Sequence, residues 1–492
     1  MKKLLYLFLF LIQNSFGQGI DNLWLMGYDC CHPPYFHPMN LDFSTGSLVI
    51  DTVQRNMNFR ETNGEICDKN GNLLFYSNGF YIANAMNDTM MNGSGINPCY
   101  FTTLYSDGLT IPQANLIIPF PDDSMKYYLF HESSDDYVNT YSAFYLYYSI
   151  IDMSLDNGLG AVVQKNTILL NDTLVLGRLT ACKHANGRDW WLFSHEFLTG
   201  IMYKFLITPQ GIQGPFIQDL QTVRDNYVGQ VVFSRQGDKF VYYEPYGDLD
   251  IFDFDRCSGN FSNRLHIDIN DSAAGGGAAF SPSGRFLYIS SIKYVYQFDL
   301  SDTNIMLSQK TVAVWDSFYA PIPPLATAYY LSQLAPDNKI YINCGNSTTV
   351  LHVINYPDSA GAACGFCQHC IQLPAFNAFT IPNHPNYFLG PESGTVCDSI
   401  HIDVPQILSA KEAYTIFPNP VKNILYISQN KKDPVKAIQV FNSLGQVQQK
   451  INYSSFKNIE YVEVNISTLT SGIYFLEMMS NKNLIVRRFV KE

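Results

Sequence analysis

Along most of the chain one pattern of apolar and polar positions returns. A short apolar run stops at a tight turn, then restarts as a run rich in aromatic and β-branched residues. The phrases are "ICDKNGNLLFYSN" with its turn at Gly71, a weaker "FPDDSMKYYLFH" turning near Ser124, "KHANGRDWWLFSH" at Gly187, "FSRQGDKFVYY" at Gly237, "FSPSGRFLYIS" at Gly284, and "LAPDNKIYINC" with Asn338 in the glycine position. Alternating runs of this length predict strands, and Gly or Asn supplies the positive φ of a tight hairpin. The turns are spaced 53, 63, 50, 47 and 54 residues apart.

Each hairpin is followed by another strand-like run, such as "AFYLYYSIIDM", "IMYKFLIT", "DLDIFDFD", "YVYQFDLS" and "TVLHVINY". In most units a fourth comes after it, as in "RLHIDI" and "KTVAVW". Four strands at a period near fifty predict propeller blades, which bury their apolar faces by stacking around an axis. "NAFTIPNHPNYFLG" (377–390) reads as one more inner hairpin, with 22–29 and 47–53 as its outer strands. That gives seven blades over 18–390, the last shared between the two ends of the domain. Six blades with loose ends is the competing count.

The pattern breaks over 391–413, which reads as a linker, and a basic segment follows. Residues 414–492 carry a net +5 against −17 for 1–413, so two modules are expected. The tail's short runs "NILYIS", "AIQVFNS", "YVEVNIS", "GIYFLEMM" and "NLIVRRFV" predict a small antiparallel, immunoglobulin-like sandwich. The expected fold class is all-β: a seven-bladed β-propeller followed by this sandwich.

Composition narrows the setting. Of 492 residues 47% are apolar, 15% charged and 14% aromatic, and the net charge of −12 argues against nucleic acid as a partner. The chain starts with Lys2 and Lys3, an apolar run from Leu4 to Ile12, and small residues at Ser15 and Gly17. This reads as a signal peptide over 1–17, cut between Gly17 and Gln18, and too short to span a bilayer. No later run reaches eighteen apolar residues, so no transmembrane segment is expected in the mature chain.

Two resemblances follow from particular phrases. "ICDKNGNLLFYSNG", "YSIIDMSLDNGLGAVVQKNTILL" and "RLTACKHANGRDWWLFSHE" resemble a WD40-like propeller domain of exported, gliding-associated Bacteroidetes proteins, which implies a propeller outside the cell. "FPNP", "VFNSLGQ", "NISTLTSGIYFLEM" and "VRRFVKE" resemble the C-terminal sorting domain of type IX secretion cargo. That resemblance implies that Pro418, Asn419 and Pro420 shape the approach to the first tail strand. It also implies that Gly445 and Gly472 hold turns, that Tyr474 is a core aromatic, and that Arg487, Arg488 and Lys491 form the basic end. The implied partners are the type IX machinery and its sortase-like protease. The implied location is the cell surface or the medium, after removal of the tail.

Candidate chemistry is sparse. Eleven cysteines in an exported chain favour disulfides, and Cys30, Cys31, Cys364, Cys367 and Cys370 are the expected participants. The C-x₂-C-x₂-C run with Cys397 or His369 as a fourth ligand, and the Cys30–Cys31–His32–His37 group, are alternative metal sets. "DKNGN" from Asp68 lacks an acid at its twelfth position, Gly79, and reads as a turn rather than a calcium loop. His184, Arg188, Asp189, His195 and Glu196 offer an acid–base set, but they lie in the repeated hairpin and a structural role is expected. Asp248, Asp250, Asp253 and Asp255 are expected mostly as solvated carboxylates. No catalytic fingerprint is present, and no cofactor is expected. The leading reading is a binding propeller for a glycan or a surface protein. The alternatives are a polysaccharide hydrolase or lyase, and a structural part of an adhesion or gliding apparatus.

Overall fold

The computed structural model describes residues 19–29, 35–104, 107–133, 142–321, 324–398, 414–428, 435–442, 446–452, 461–479 and 484–492. The signal-peptide residues with Gly17 and Gln18, together with Cys30, Cys31, His32, Gly445 and most of the linker, lie outside them. The chain divides into two compact units, Met1–Ser399 and Ile400–Glu492.

The first unit is built of antiparallel sheets whose strands pair in chain order. Four-stranded sheets occupy 180–219, 230–267, 277–314 and 329–377. Residues 64–94 and 115–174 form two more four-stranded sets, merged into one eight-stranded sheet through a parallel pairing of Ala161 with Met91. Strands Leu23–Met26, Met39–Asp42 and Val49–Thr52 make a three-stranded sheet. The first strands of successive sheets lie side by side, and their hairpin turns share one end. The arrangement is propeller-like.

The turns are where the pattern placed them, with positive φ at Gly71, Gly187, Gly237, Gly284 and Asn338. In the weak copy the left-handed residue is Asp122 rather than Ser124. Gly187 answers to a second demand: a Cβ there would come within 2.5 Å of the Pro391 nitrogen.

The shared blade does not form. The strands of 23–52 pair only with one another, and 378–390 carries no strand. Pro382 and Pro385 have no N–H to give a ladder. The ends meet by face-to-face packing instead. Trp24, Met39, Leu41 and Phe43 share a core with Tyr341, Leu351, Val353 and Leu373 of the last sheet. Leu25 packs with Met57, Phe59, Tyr76 and Ala83 on the other side.

Residues 378–392 run as an extended strap along the inner strands. At one end the Phe379 N–H donates to the Arg60 carbonyl and the Thr380 hydroxyl to the Glu61 carbonyl. At the other, Arg256 donates to the Gly390 carbonyl and the Glu392 N–H to the Ala185 carbonyl. Just beyond, Cys397 is bridged to Cys257.

The second unit has two antiparallel sheets. One holds Ile416–Phe417, Ile424–Ser428 and Tyr461–Asn465; the other orders Val447–Asn452, Ala437–Asn442, Gly472–Met479 and Leu484–Lys491 edge to edge. Alternate residues such as Leu425, Ile427, Val462, Val464, Leu476 and Phe489 fill one core between them. Among the described residues no helix is long and apolar enough to cross a membrane.

Candidate functional site

The inner strands and the strap enclose a cavity of about 1260 Å³ at the hairpin-turn end of the first unit. Its wall is built from short stretches of several sheets: Thr180–Ala181, Val231–Phe233, Ala278–Phe280 and Ser332–Leu334. The strap residues 383–390 and the stretches 19–22 and 43–46 complete it.

Side-chain amides stitch this wall together. Gln113 clasps Val231, accepting its N–H and donating to its carbonyl, both at 2.9 Å, and donates to Asn383 at 3.1 Å. Asn383 in turn donates to the carbonyls of Asn115 and Leu179. Gln230 accepts the Ala278 and Ser332 N–H groups. Inner strands from neighbouring sheets have no ladder between them, so these amides satisfy backbone groups that would otherwise be stranded.

His384 donates through Nε2 to the Glu65 carbonyl at 3.2 Å, and its Nδ1 has no partner among the described residues. Burial pulls its pKa down to about 4, so it is neutral near pH 7, and burial pushes the Glu65 carboxyl well above its usual range. Asp21 is pushed up to about 7 by burial, with the charge of Arg235 working against the shift. The charged residues of the wall are Lys69, Lys183 and Arg235 against Asp21 and Asp337; Phe43, Phe233 and Phe388 add apolar surface. Sequence reading missed this set, because polar residues on inner strands have no periodic signature.

At the opposite end of the sheets the buried ionisable groups are tied up. Glu132 accepts the Gly177 N–H at 2.9 Å and the Ser194 hydroxyl at 3.2 Å, and burial pushes it up to about 7. Two guanidinium groups approach the Tyr242 ring, Arg224 at 4.6 Å and Arg178 at 5.8 Å from its centroid.

The residues singled out from sequence scatter over several places. His195 lies 3.3 Å from the Tyr242 hydroxyl and is held neutral by burial, its pKa lowered to about 3. His184 bonds the Cys257 carbonyl and the Asn186 N–H within its turn. Arg188 pairs with Asp189 and Asp122, and Glu196 accepts the Thr199 hydroxyl. Asp68 caps its own turn through the Asn70 and Asn72 N–H groups.

Asp250 is not a solvated carboxylate. It is fully buried and takes bonds from Arg224, Arg264, His266 and Thr222, which hold its pKa below the usual range against burial. Asp253 pairs with Lys239, and Asp255 caps the Cys257 N–H. Asp248, His266 and Asp268 bring three donor atoms within 4.8 Å of one another and could hold a cation. His266, however, already faces Asp250 through Nδ1 at 2.9 Å and Asp268 through Nε2 at 3.2 Å.

Among the described cysteines, Cys367 is bridged to Cys370 and Cys257 to Cys397. Cys364, grouped with the first pair in sequence, is instead a buried thiol at the end of a short helical turn, and joins neither a bridge nor a metal set. His369 pairs with Asp316.

In the tail, Asn419 reaches the last strand. Its Oδ1 accepts the Val490 N–H and its Nδ2 donates to the Arg488 carbonyl, and the Val421 and Val490 backbones bond directly. The peptide bonds preceding Pro418 and Pro420 are both cis. Tyr474 is buried, stacks on Phe489 at 5.7 Å and donates to the Thr470 carbonyl. Gly472 opens its strand without a left-handed φ, so no glycine-specific turn is needed there. Arg488 is exposed, Arg487 half-buried and Lys491 buried.

Residues 415–492 match the secretion system C-terminal sorting domain. The tail is thus the sorting domain of type IX secretion cargo, an address for export that engages that machinery. Among curated proteins none matches the chain. Three solved structures are similar to it. A 6-phosphogluconolactonase candidate from Bacteroides uniformis shares 12% identity over 90% of this chain and 99% of its own, with a TM-score of 0.39. A functionally unknown protein from Desulfotomaculum acetoxidans shares 11% over 74% and 99%, TM-score 0.39. A quinonprotein alcohol dehydrogenase-like protein from Bacteroides thetaiotaomicron shares 10% over 74% and 76%, TM-score 0.35.

Proposed function

We propose that the body is a seven-bladed propeller that binds a hydroxyl-rich ligand, a surface or extracellular glycan, in the cavity at its hairpin-turn end. Each sheet of three or more strands in 23–377 would count as one blade, with the two halves of the eight-stranded sheet counted separately and the short pair Tyr319–Pro321 and Pro324–Ala326 left as a connection. The tail would be an immunoglobulin-like sandwich, removed by a sortase-like protease that cuts between about Ser393 and Ala413, leaving the body at the cell surface or in the medium. A signal peptide over 1–17 would provide the first export step.

The observation that carries the binding reading is the cavity wall: a large pocket lined by amides, hydroxyls and backbone groups, with aromatic surface beside them. Such a lining suits a ligand that both donates and accepts hydrogen bonds and presents flat apolar faces, as sugars do. The hydrolase or lyase reading has less support, because Glu65 and Glu132 are buried and bonded within the protein.

A glycan array probed with the full mature chain tests this. Saturable binding that is lost in Asn386→Trp, which fills the cavity mouth, is the expected result. Retention of no glycan, or binding indifferent to that substitution, would overturn it.

A further inference from the structure

The charge of the cavity wall runs against that of the body around it. Residues 1–413 carry a net −17, yet the wall holds three cations and two acids. Asp337 is engaged by the Tyr341 hydroxyl and the Lys339 N–H, and desolvation pushes the Asp21 carboxyl up to about 7. None of Lys69, Lys183 and Arg235 forms an ion pair among the described residues.

Lys183 is the most telling of the three. Its ammonium lies 5.3 Å above the Trp190 ring and is half-buried. Burial and the nearby Arg256 guanidinium lower its pKa, so its charged neighbour repels it. A partly desolvated cation beside another cation is costly unless an anion joins them. Arg256 is itself fixed by three carbonyls, those of Lys183, His184 and Gly390, and cannot swing away. Arg235 and Lys69 are exposed at the rim, where the low-dielectric walls of the cleft focus their field on an approaching ligand.

Resting on the reading of this cavity as a glycan site, we infer that its ligand is an acidic polysaccharide, whose carboxylate or sulfate groups meet Lys183 inside and Arg235 and Lys69 at the rim. Electrostatic attraction also explains how a strongly acidic protein would capture a polyanion. The cations are concentrated where the chain is to be bound, while the rest of the surface repels misplaced contacts.

The test uses the full mature chain and three probes: polygalacturonate for carboxylates, chondroitin sulfate for sulfates, and dextran as a neutral polymer. The expected result is binding to one or both acidic probes, weakening as salt rises, and at least tenfold tighter than to dextran. Lys183→Gln should weaken that binding about tenfold, and the exposed Arg235→Gln, which leaves folding untouched, should weaken it several-fold. The difference between the two acidic probes identifies the anionic group. Dextran binding equal to that of the acidic probes, insensitive to salt and to both substitutions, would overturn the inference while leaving the glycan reading intact. Binding of none of the three, together with an empty glycan array, would overturn both.

Discussion

Asn419 and Val490 are joined side chain to backbone: the Asn419 Oδ1 accepts the Val490 N–H at 2.9 Å, and its Nδ2 donates to the Arg488 carbonyl at 3.2 Å. Two stretches seventy residues apart, the proline-flanked opening and the basic end, are therefore one structural element. Asn419→Ala should cost about 1–2 kcal/mol by removing both bonds. Hydrogen exchange on the full chain checks it: the Val490 amide should exchange markedly faster, while the amides of 230–267 stay as protected as before. Unchanged protection at Val490 would show that Val421 alone holds the strand.

Gly177 and Gly46 both have left-handed φ, but their surroundings differ. A Cβ on Gly177 would fall 1.7 Å from the Pro112 carbonyl oxygen, whereas Gly46 faces open space. Gly177→Ala should therefore destabilise by more than about 3 kcal/mol, because backbone must move, and Gly46→Ala by about 1 kcal/mol, the conformational cost alone. Thermal melts of the two variants should differ clearly; equal losses would contradict the packing described around Pro112.

Glu132 has a folded pKa of about 7 against 4.5 for a free glutamate. The native state holds this proton more tightly than the unfolded chain. Its contribution to stability is thus full below pH 4.5, falls as pH rises from 4.5 to 7, and is constant above. Glu132→Gln removes that slope, so the stability of the variant relative to the parent should improve by up to about 3 kcal/mol between pH 4.5 and pH 8. Buried His131 and His195, held down to about 3, act in the opposite sense and lose stability as pH falls below 6.5. Urea midpoints at the two pH values give the comparison, and a pH-independent difference between parent and Glu132→Gln would refute the assignment.

The Cys257–Cys397 bridge closes a loop of 140 residues. On chain-entropy grounds it contributes up to about 5 kcal/mol. Cys257→Ser should leave the sheets folded but expose 391–398 to protease, giving a clipped product absent from the parent under non-reducing conditions. Equal resistance of the two proteins would mean that the strap's hydrogen bonds suffice.

How much of this was legible in the sequence depended on the range of the interaction. The paired strands were readable because alternation and left-handed turn residues are local, and Gly71, Gly187, Gly237, Gly284 and Asn338 all sit at their turns. The way the ends meet was not, since Trp24 against Tyr341 is a contact between faces with no ladder to imply it. Asp250 looked solvated because it alternates with apolar neighbours on its strand, yet its partner Arg224 arrives from a connection 26 residues upstream. Gln113, Gln230 and Asn383 left no trace in the pattern, because an amide that satisfies a neighbouring sheet's backbone looks like any polar residue. In the tail, the spacing of motifs marked the module, and the bond between its two ends emerged only from the fold.

The strap has a consequence for timing. A chain that is made and exported from its N-terminus presents the sheets of 23–377 first, but their inner edges still lack the bonds from Thr380, Asn383, Tyr387 and Gly390. Those arrive only when the last stretch of the body appears, and Cys397 then latches it. The sorting domain comes after them, at 415–492. The label that marks the protein for export is therefore written after the final piece needed to finish the body, and a chain that stops before residue 390 is both unfinished and unaddressed.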